Sequence, residues 1–284
     1  MIRDDLPLPP PKGDMKRDDL PLPPPKGDMK RDDLPLLPPK GDMSMVQSFL
    51  SHNNYPPFDL KAVLFDMDGV LFDSMPNHAL SWHRVMMAHG LDLSYNEAYQ
   101  HEGRKGDETI HIVSKRQGVT ISDEEKKAIY KEKTDLFKTL PKPERMAGSY
   151  EILQKVIQYG LIPMLVTGSG QVSLLDSLHT FFPDVFEKDR MVTAFDVKRG
   201  KPNPDPYLKA LEKGKLKPWE TIVIENAPLG IEAAHRAGLF VVAVNTGPLS
   251  DSILWEAGAN LLYPSMLALN EAWGKIMRCF NSKI

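Results

Sequence analysis

The chain has 284 residues, 42% hydrophobic and 26% charged, with a net charge of -3 and one cysteine, Cys279. This is ordinary globular composition, with no basic field to gather nucleic acid and no intramolecular disulfide framework. Apolar runs such as LIPMLV fall far short of the ~18 residues of a membrane span; the start lacks an apolar signal region, and a lone cysteine suits a reducing compartment, so a cytoplasmic protein is expected.

Residues 1–42 are three copies of a 14-residue unit, MIRDDLPLPPPKGD, MKRDDLPLPPPKGD and MKRDDLPLLPPKGD. Proline-rich, charged sequence without aromatic residues cannot bury a core, so an extended tail is expected over 1–44. Two readings stay open. The tail is a ligand for an aromatic groove on a partner protein, or it is a recent duplication translated upstream of a start at Met43 or Met45.

From Lys61 the pattern changes. Strand-like runs recur: KAVLFDMD, LIPMLVTGS, MVTAFD, TIVIEN, LFVVAVNTG and ANLLYPS. Helical segments alternate with them. SYEILQKVIQYG sets Ile152, Leu153, Val156 and Ile157 on one face and ends at Gly160. Runs apolar on both faces, alternating with helices, predict an α/β fold with a Rossmann-like, doubly wound parallel sheet. Its core is expected over 58–73 and 144–284. Between them, over 74–143, only helical patterns appear, which predicts an inserted helical cap above the crevice where such sheets bind ligands.

The first strand runs into FDMDGVLFDS. Asp66 and Asp68 are two residues apart and point roughly the same way. Paired carboxylates repel, and a cation or a shared proton resolves that. Turn and helix-capping roles explain Asp73 and Ser74 well, and the Asp66/Asp68 pair poorly. A calcium loop would lie between helices and carry glutamate at its twelfth position, where this chain has Asn77. The second strand ends at Thr167, whose hydroxyl and following amides suit a phosphate. Lys201 offers a point charge for the same anion. TIVIEN ends on Glu225 and Asn226, oxygen donors for a hard cation. Each motif alone has an ordinary reading as a turn or a solvated side chain; chance poorly explains all four at successive strand ends.

In this order the motifs resemble the haloacid dehalogenase (HAD) superfamily of phosphotransferases, over about residues 58–270, and the inserted helices resemble the cap of its β-phosphoglucomutase-like subfamily. The resemblance implies that Asp66 attacks phosphorus and becomes an aspartyl-phosphate, while Asp68 serves the leaving group and then the attacking water as acid and base. It implies Mg²⁺ held by Asp66, the Asp68 carbonyl and Asn226, with Glu225 beside them, and Thr167 and Lys201 on the equatorial oxygens. The fourth motif usually carries aspartate where this chain has Asn226, which predicts a weaker metal site that recruits help from the cap or the substrate.

In the cap, His78, Glu102, Arg104, Lys105, Tyr130 and Lys133 are the expected substrate contacts, although each also reads as solvated helix or loop. The cap loop Gly103-Arg104-Lys105-Gly106 departs from the Gly-x-Ser-Arg pattern with which β-phosphoglucomutases grip a second phosphate. The segments MDGVLFDSMPNH, HEGRKG, VTGSGQVSLL, VTAFDVKRGKPNPDPY and VIENAPLG instead resemble inorganic pyrophosphatases of the superfamily, which have a key cap glutamate matching Glu102. The expected activity is therefore Mg²⁺-dependent hydrolysis of pyrophosphate. A β-phosphoglucomutase, a small sugar-phosphate phosphatase and a binding protein working through its tail are the alternatives. No nucleic-acid or membrane partner is expected.

Overall fold

The computed structural model describes residues 42–169 and 172–280. The repeats, and the VTGSGQVSLL motif at Gly170 and Gln171, lie wholly or partly outside the described residues. Six parallel strands form one sheet: β1 (Ala62–Phe65), β2 (Ile162–Val166), β3 (Met191–Val192), β4 (Thr221–Glu225), β5 (Phe240–Val244) and β6 (Leu261–Tyr263), in the order β3-β2-β1-β4-β5-β6. The doubly wound α/β expectation holds. β3 is two residues long because its expected continuation, Thr193 to Asp196, closes a turn: the Asp196 carboxylate accepts from the Thr193 amide and hydroxyl at 2.8 and 2.9 Å.

Strand alternation divides the core between the two faces. Val63 and Phe65, with Ile222, Ile224, Phe240 and Val242, meet α6 (Ser149–Gln158), α7 (Val172–Phe181) and α11 (Met266–Phe280). Leu64, Val166, Val223, Val241 and Ala243 meet α8 (Asp205–Gly214) and α9 (Pro228–Arg236). On α6, Ile152, Leu153 and Val156 are buried, but Ile157 is 44% exposed. It lies at the end of the helix, where the stripe has already turned away from the sheet.

Helix α1 (Asp42–Asn53) precedes the expected start of the core at 58, and its Val46 and Phe49 belong to that core. Phe49 packs edge-on against Phe240 at 5.2 Å, and Phe58 against Phe280 at 4.8 Å. The short α10 (Asp251–Glu256) and α11 also formed no part of the sequence expectation.

After β1 the chain leaves for α2 (Met75–Ala88), α3 (Tyr95–Gln100), α4 (Gly106–Arg116) and α5 (Asp123–Thr139). These helices pack around their own centre of Trp82, Val85, Met86, Ile110, Val113 and Ile129. The outgoing and returning linkers run side by side, with the Asp73 amide donating to the Glu144 carbonyl at 2.9 Å and Phe72 bridged to Arg145. Two short connections over a separately packed unit are the geometry of a hinged cap.

Candidate active site

The register places the chemistry. β1 lies between β2 and β4, with Phe65 level with Leu165 and Ile224. Asp66, Thr167 and Glu225 therefore leave the sheet side by side at its carboxyl edge. The Asp66 amide still donates to the Ile224 carbonyl at 3.0 Å, and the Thr167 amide to Val192 at 2.9 Å, so both side chains rise from fixed backbone. Thr167 Oγ1 accepts the Ser169 amide at 3.0 Å.

Behind Asp66 lies a buried charge chain. Lys201, fully inaccessible to solvent, donates to Asp66 Oδ1 at 2.5 Å, Glu225 Oε1 at 2.6 Å and the Val166 carbonyl at 3.1 Å. Tyr207 donates its hydroxyl to the same Glu225 oxygen at 3.1 Å. Glu225 Oε2 accepts the Asn226 and Ala227 amides at 2.8 and 3.0 Å. Helix α9 presses so close that a Cβ on Gly230 would sit 1.6 Å from Oε1. Both Glu225 oxygens are thus committed inside the protein. Its expected place among the metal ligands is corrected to that of an anchor for Lys201. One ammonium serving two carboxylates leaves an excess of negative charge. Burial, opposed by Lys201 and reinforced by Glu225 and Asp68, pushes the Asp66 carboxyl up to about 8.

Asp68 faces the cap. It accepts Ser74 Oγ at 2.5 Å and contacts His78 Nε2 at 3.2 Å, while Lys133 Nζ lies 2.7 Å from His78 Nδ1. Lys133 is buried between Trp82 and Phe137, 5.3 and 5.2 Å from their ring centroids. Burial pulls the Lys133 ammonium down to about 7. His78 is also held low, by burial and by Lys133. Burial alone would raise Asp68, but His78, Ser74 and Lys133 together hold it below the usual carboxylate range.

The cap closes through the turn after α3. Asn226 Nδ2 donates to Glu102 Oε1 at 2.9 Å, while Asn226 Oδ1 is buried without a partner. Burial, then the Asp66 charge, raises Glu102 well above its usual value. A Cβ on Gly168 would lie 2.4 Å from the Gly103 carbonyl, so only glycine permits this approach. Lys105 was expected at the substrate. Extended backbone at the head of α4 sends it instead across to the core, where Nζ donates to the Val197 and Lys198 carbonyls at 2.9 and 2.8 Å, and it is corrected to a cap–core strap.

A cavity of about 60 Å³ remains between the domains, lined by Asp66, Asp68 and Thr167 from below and by His78, Glu102, Arg104, Tyr130 and Lys133 from above. Tyr130 stacks on Trp82 at 6.0 Å. Sequence reasoning missed Trp82 and His101, which also line the cavity. Trp82 reads as core. His101 reads as the solvated end of a short helix, and only its position beside Glu102 points to the site.

A parallel sheet with carboxylates at its central strand end, a lysine behind them and a helical lid above is the arrangement of an α/β phosphoryl-handling fold. Residues 63–244 match the family of haloacid dehalogenase-like hydrolases, and the chain belongs to it. The chain is 32% identical over 189 residues to validoxylamine A 7'-phosphate phosphatase of Streptomyces hygroscopicus subsp. limoneus, covering 66% of this chain and 86% of that protein. It is 32% identical over 213 residues to a phosphorylated carbohydrates phosphatase of Thermotoga maritima, covering 74% and 97%. Among solved structures, a Bacteroides vulgatus protein provisionally named a beta-phosphoglucomutase superposes with a TM-score of 0.82 and 55% identity, covering 84% of this chain and 98% of that one. Among the described residues, no helix is long and apolar enough to cross a membrane.

Proposed function

We propose that this protein is a Mg²⁺-dependent phosphohydrolase that works through an aspartyl-phosphate on Asp66 and takes inorganic pyrophosphate as its substrate. The observation that carries the reading is the Glu102–Asn226 contact, which places a cap carboxylate at the fourth motif of the core.

The residues present fit the metal. Asn226 Oδ1 is a buried acceptor without a partner, beside a site with surplus negative charge. No three His, Cys, Asp or Glu side chains converge on one point among the described residues, so the donor set leans on an amide and a backbone carbonyl. Asp66, the Asp68 carbonyl, Asn226 and, from the cap, Glu102 would hold Mg²⁺, an all-oxygen set that suits a hard cation. When bound, it screens the carboxylates from the incoming phosphate.

Asp66 attacks phosphorus, the Asp66–phosphorus bond forms and the bond to the departing oxygen breaks. Thr167 steadies the equatorial oxygens, while Lys201, buried and donating to Asp66, Glu225 and the Val166 carbonyl, holds the nucleophile in position from behind. Water then attacks the aspartyl-phosphate, Asp68 takes its proton, and phosphate and free Asp66 result. Because Asp68 is held in its ionised form, it suits a leaving group that needs little protonation. Phosphate is such a group; a sugar alkoxide is far more basic. The cavity, with room for only a few waters, also suits a small substrate.

The second reading, a sugar-phosphate phosphatase or a β-phosphoglucomutase, is favoured by the names of the relatives above. The test measures phosphate release with Mg²⁺ from pyrophosphate and from a panel of sugar phosphates, with Asp66→Asn as the blank, and follows β-glucose 1-phosphate to glucose 6-phosphate. Preference for pyrophosphate, lost in the blank, is the expected result. Isomerisation without net phosphate release would overturn it.

A further inference from the structure

The turn that carries Asp68 is pinned from β5, two strands away across the sheet. Gly69 follows Asp68 with φ at +81°, in the left-handed region that glycine enters freely. A Cβ there would run into the Asn226 side chain, so only glycine fits. The most flexible residue type thus sits next to the acid–base group, and the peptides on either side of it need holding from outside. The peptide before it is held within the turn, where the Gly69 amide donates to the Phe72 carbonyl at 2.8 Å. The peptide after it is held from β5. Thr246, two residues past the end of that strand, donates its hydroxyl to the Gly69 carbonyl at 2.7 Å.

Thr246 stands on a fixed base. The Asn245 amide donates to the Tyr263 carbonyl at 2.8 Å. The Asn245 side chain donates to the Leu249 carbonyl at 2.9 Å and to Asp251, at the head of α10, at 2.5 Å. The outer side of the same loop meets the cap. Tyr99 of α3 is buried in the cap's apolar centre, and a Cβ on Gly247 would lie 3.1 Å from its ring. Leu249 packs against that centre too. One loop therefore touches the Asp68 turn at Thr246 and the closed cap at Gly247 and Leu249.

A single hydroxyl-to-carbonyl bond is modest. Its leverage comes from what it holds. Rotation about Gly69 re-aims the Asp68 carboxylate and the Asp68 carbonyl, and a displacement of about 1 Å at such groups costs about 100-fold in rate. Thr246 does not border the reaction cavity, so its influence runs through Gly69.

We propose that Thr246 is a positioning residue that fixes the Asp66–Asp68 turn through the Gly69 carbonyl, and that Tyr99, seated on Gly247, secures this hold when the cap is closed. The inference rests on the phosphohydrolase reading above.

Thr246→Val keeps the branched shape and loses the donor, whereas Thr246→Ser keeps the donor. Both are compared with the native enzyme for phosphate release with Mg²⁺ from pyrophosphate and from sugar phosphates. Mg²⁺ binding is followed separately by calorimetry without substrate. On whichever substrate the native enzyme prefers, kcat is expected to fall about 10- to 100-fold in Thr246→Val, with KM changing less than about threefold. The Kd for Mg²⁺ should rise about fivefold. Thr246→Ser should recover most of both losses. In a Tyr99→Leu background, which empties the seat on Gly247, Thr246→Val should cost less than it does alone. Native kcat and Mg²⁺ affinity in Thr246→Val, or no recovery in Thr246→Ser, would overturn the inference. So would losses that follow only the fraction of each variant still folded in thermal melts, which would leave Thr246 a packing residue. Losses that add in the double variant would remove Tyr99 from the proposal. A native protein with no Asp66-dependent phosphate release would instead sink the phosphohydrolase reading, and Mg²⁺ binding would still report on Thr246.

Discussion

Asn226 of the core and Glu102 of the cap meet at 2.9 Å, amide nitrogen to carboxylate oxygen, and this bond joins the domains directly above Asp66. With aspartate at 226, two carboxyl groups would face each other in a dry site, and a cation or a shared proton would have to be present before the cap could close. Asparagine lets the cap close without one. We expect Asn226→Asp to open the metal-free cap and to tighten Mg²⁺ binding roughly tenfold, by the added charge. Isothermal titration of the variant and small-angle scattering with and without Mg²⁺ check both halves; unchanged affinity would count against Asn226 as a ligand.

Removing the other partner tests the substrate. Glu102→Ala should lower phosphate release from pyrophosphate by about 100-fold, an effect of the size seen when an oriented metal or transition-state contact is lost. If turnover of pyrophosphate is unchanged while Asp66→Asn is dead, the cap carboxylate has no part in the chemistry.

Closure itself depends on Gly168. An added Cβ there would meet the Gly103 carbonyl at 2.4 Å, backbone against backbone, and neither side can rotate away. Gly168→Ala should therefore hold the cap about 1 Å off and lower kcat/KM by roughly 100-fold. Its melting temperature should barely move, because the contact joins two separately packed cores. Steady-state kinetics beside thermal melts would show it, and an intact rate would mean that chemistry does not need full closure.

Much of this site was legible because strand ends are legible. An apolar run that stops at a charged or hydroxylated residue locates the carboxyl edge of a parallel sheet, and Asp66, Thr167 and Asn226 follow from it. What was hidden depends on contacts distant in sequence. Glu225 ends a strand as Asp66 does, but only the positions of Lys201, Tyr207 and Gly230 show that its carboxylate turns inward. Lys105 sits beside Arg104, and nothing local says that one borders the cavity while the other straps the cap to the core. Helix α1 escaped notice because its apolar face, Val46 and Phe49, is short and follows a polar tail; packing on Phe240 and Phe58, rather than propensity, holds it.

Lys133 makes a pH prediction. Its folded value is about 7 against 10.5 for a free lysine, so between those values the unfolded chain binds more protons than the folded one. Stability then rises with pH across that window. Asp66 works in the opposite sense below about 8, so the lysine effect is cleanest from pH 8 to 10. Lys133→Met, which keeps the packing between Trp82 and Phe137, should flatten the native rise over that range. Denaturant unfolding at both pH values, native against variant, gives the slope difference directly; parallel slopes would refute it.

Asp66 makes the last prediction, and there function and stability oppose each other. Its carboxyl is raised from 3.8 to about 8 in the closed protein. A raised acid stabilises the fold fully below its unfolded value and loses that contribution as pH climbs towards its folded value. Asp66→Asn removes the titration and the surplus charge together. The variant should therefore be inactive yet more stable than the native protein, by an amount that grows from pH 4 to 8, reaches a few kcal/mol, and levels off above about 8. Excess Mg²⁺ should shrink the gap, because the cation offsets the same charge in the native site and finds a poorer one in the variant. Thermal melts of both proteins across pH, with Mg²⁺ and with chelator, test this. A variant less stable than native at pH 8 without metal would mean that the Lys201–Asp66 pair stabilises the fold outright and that the surplus charge inferred here is already neutralised.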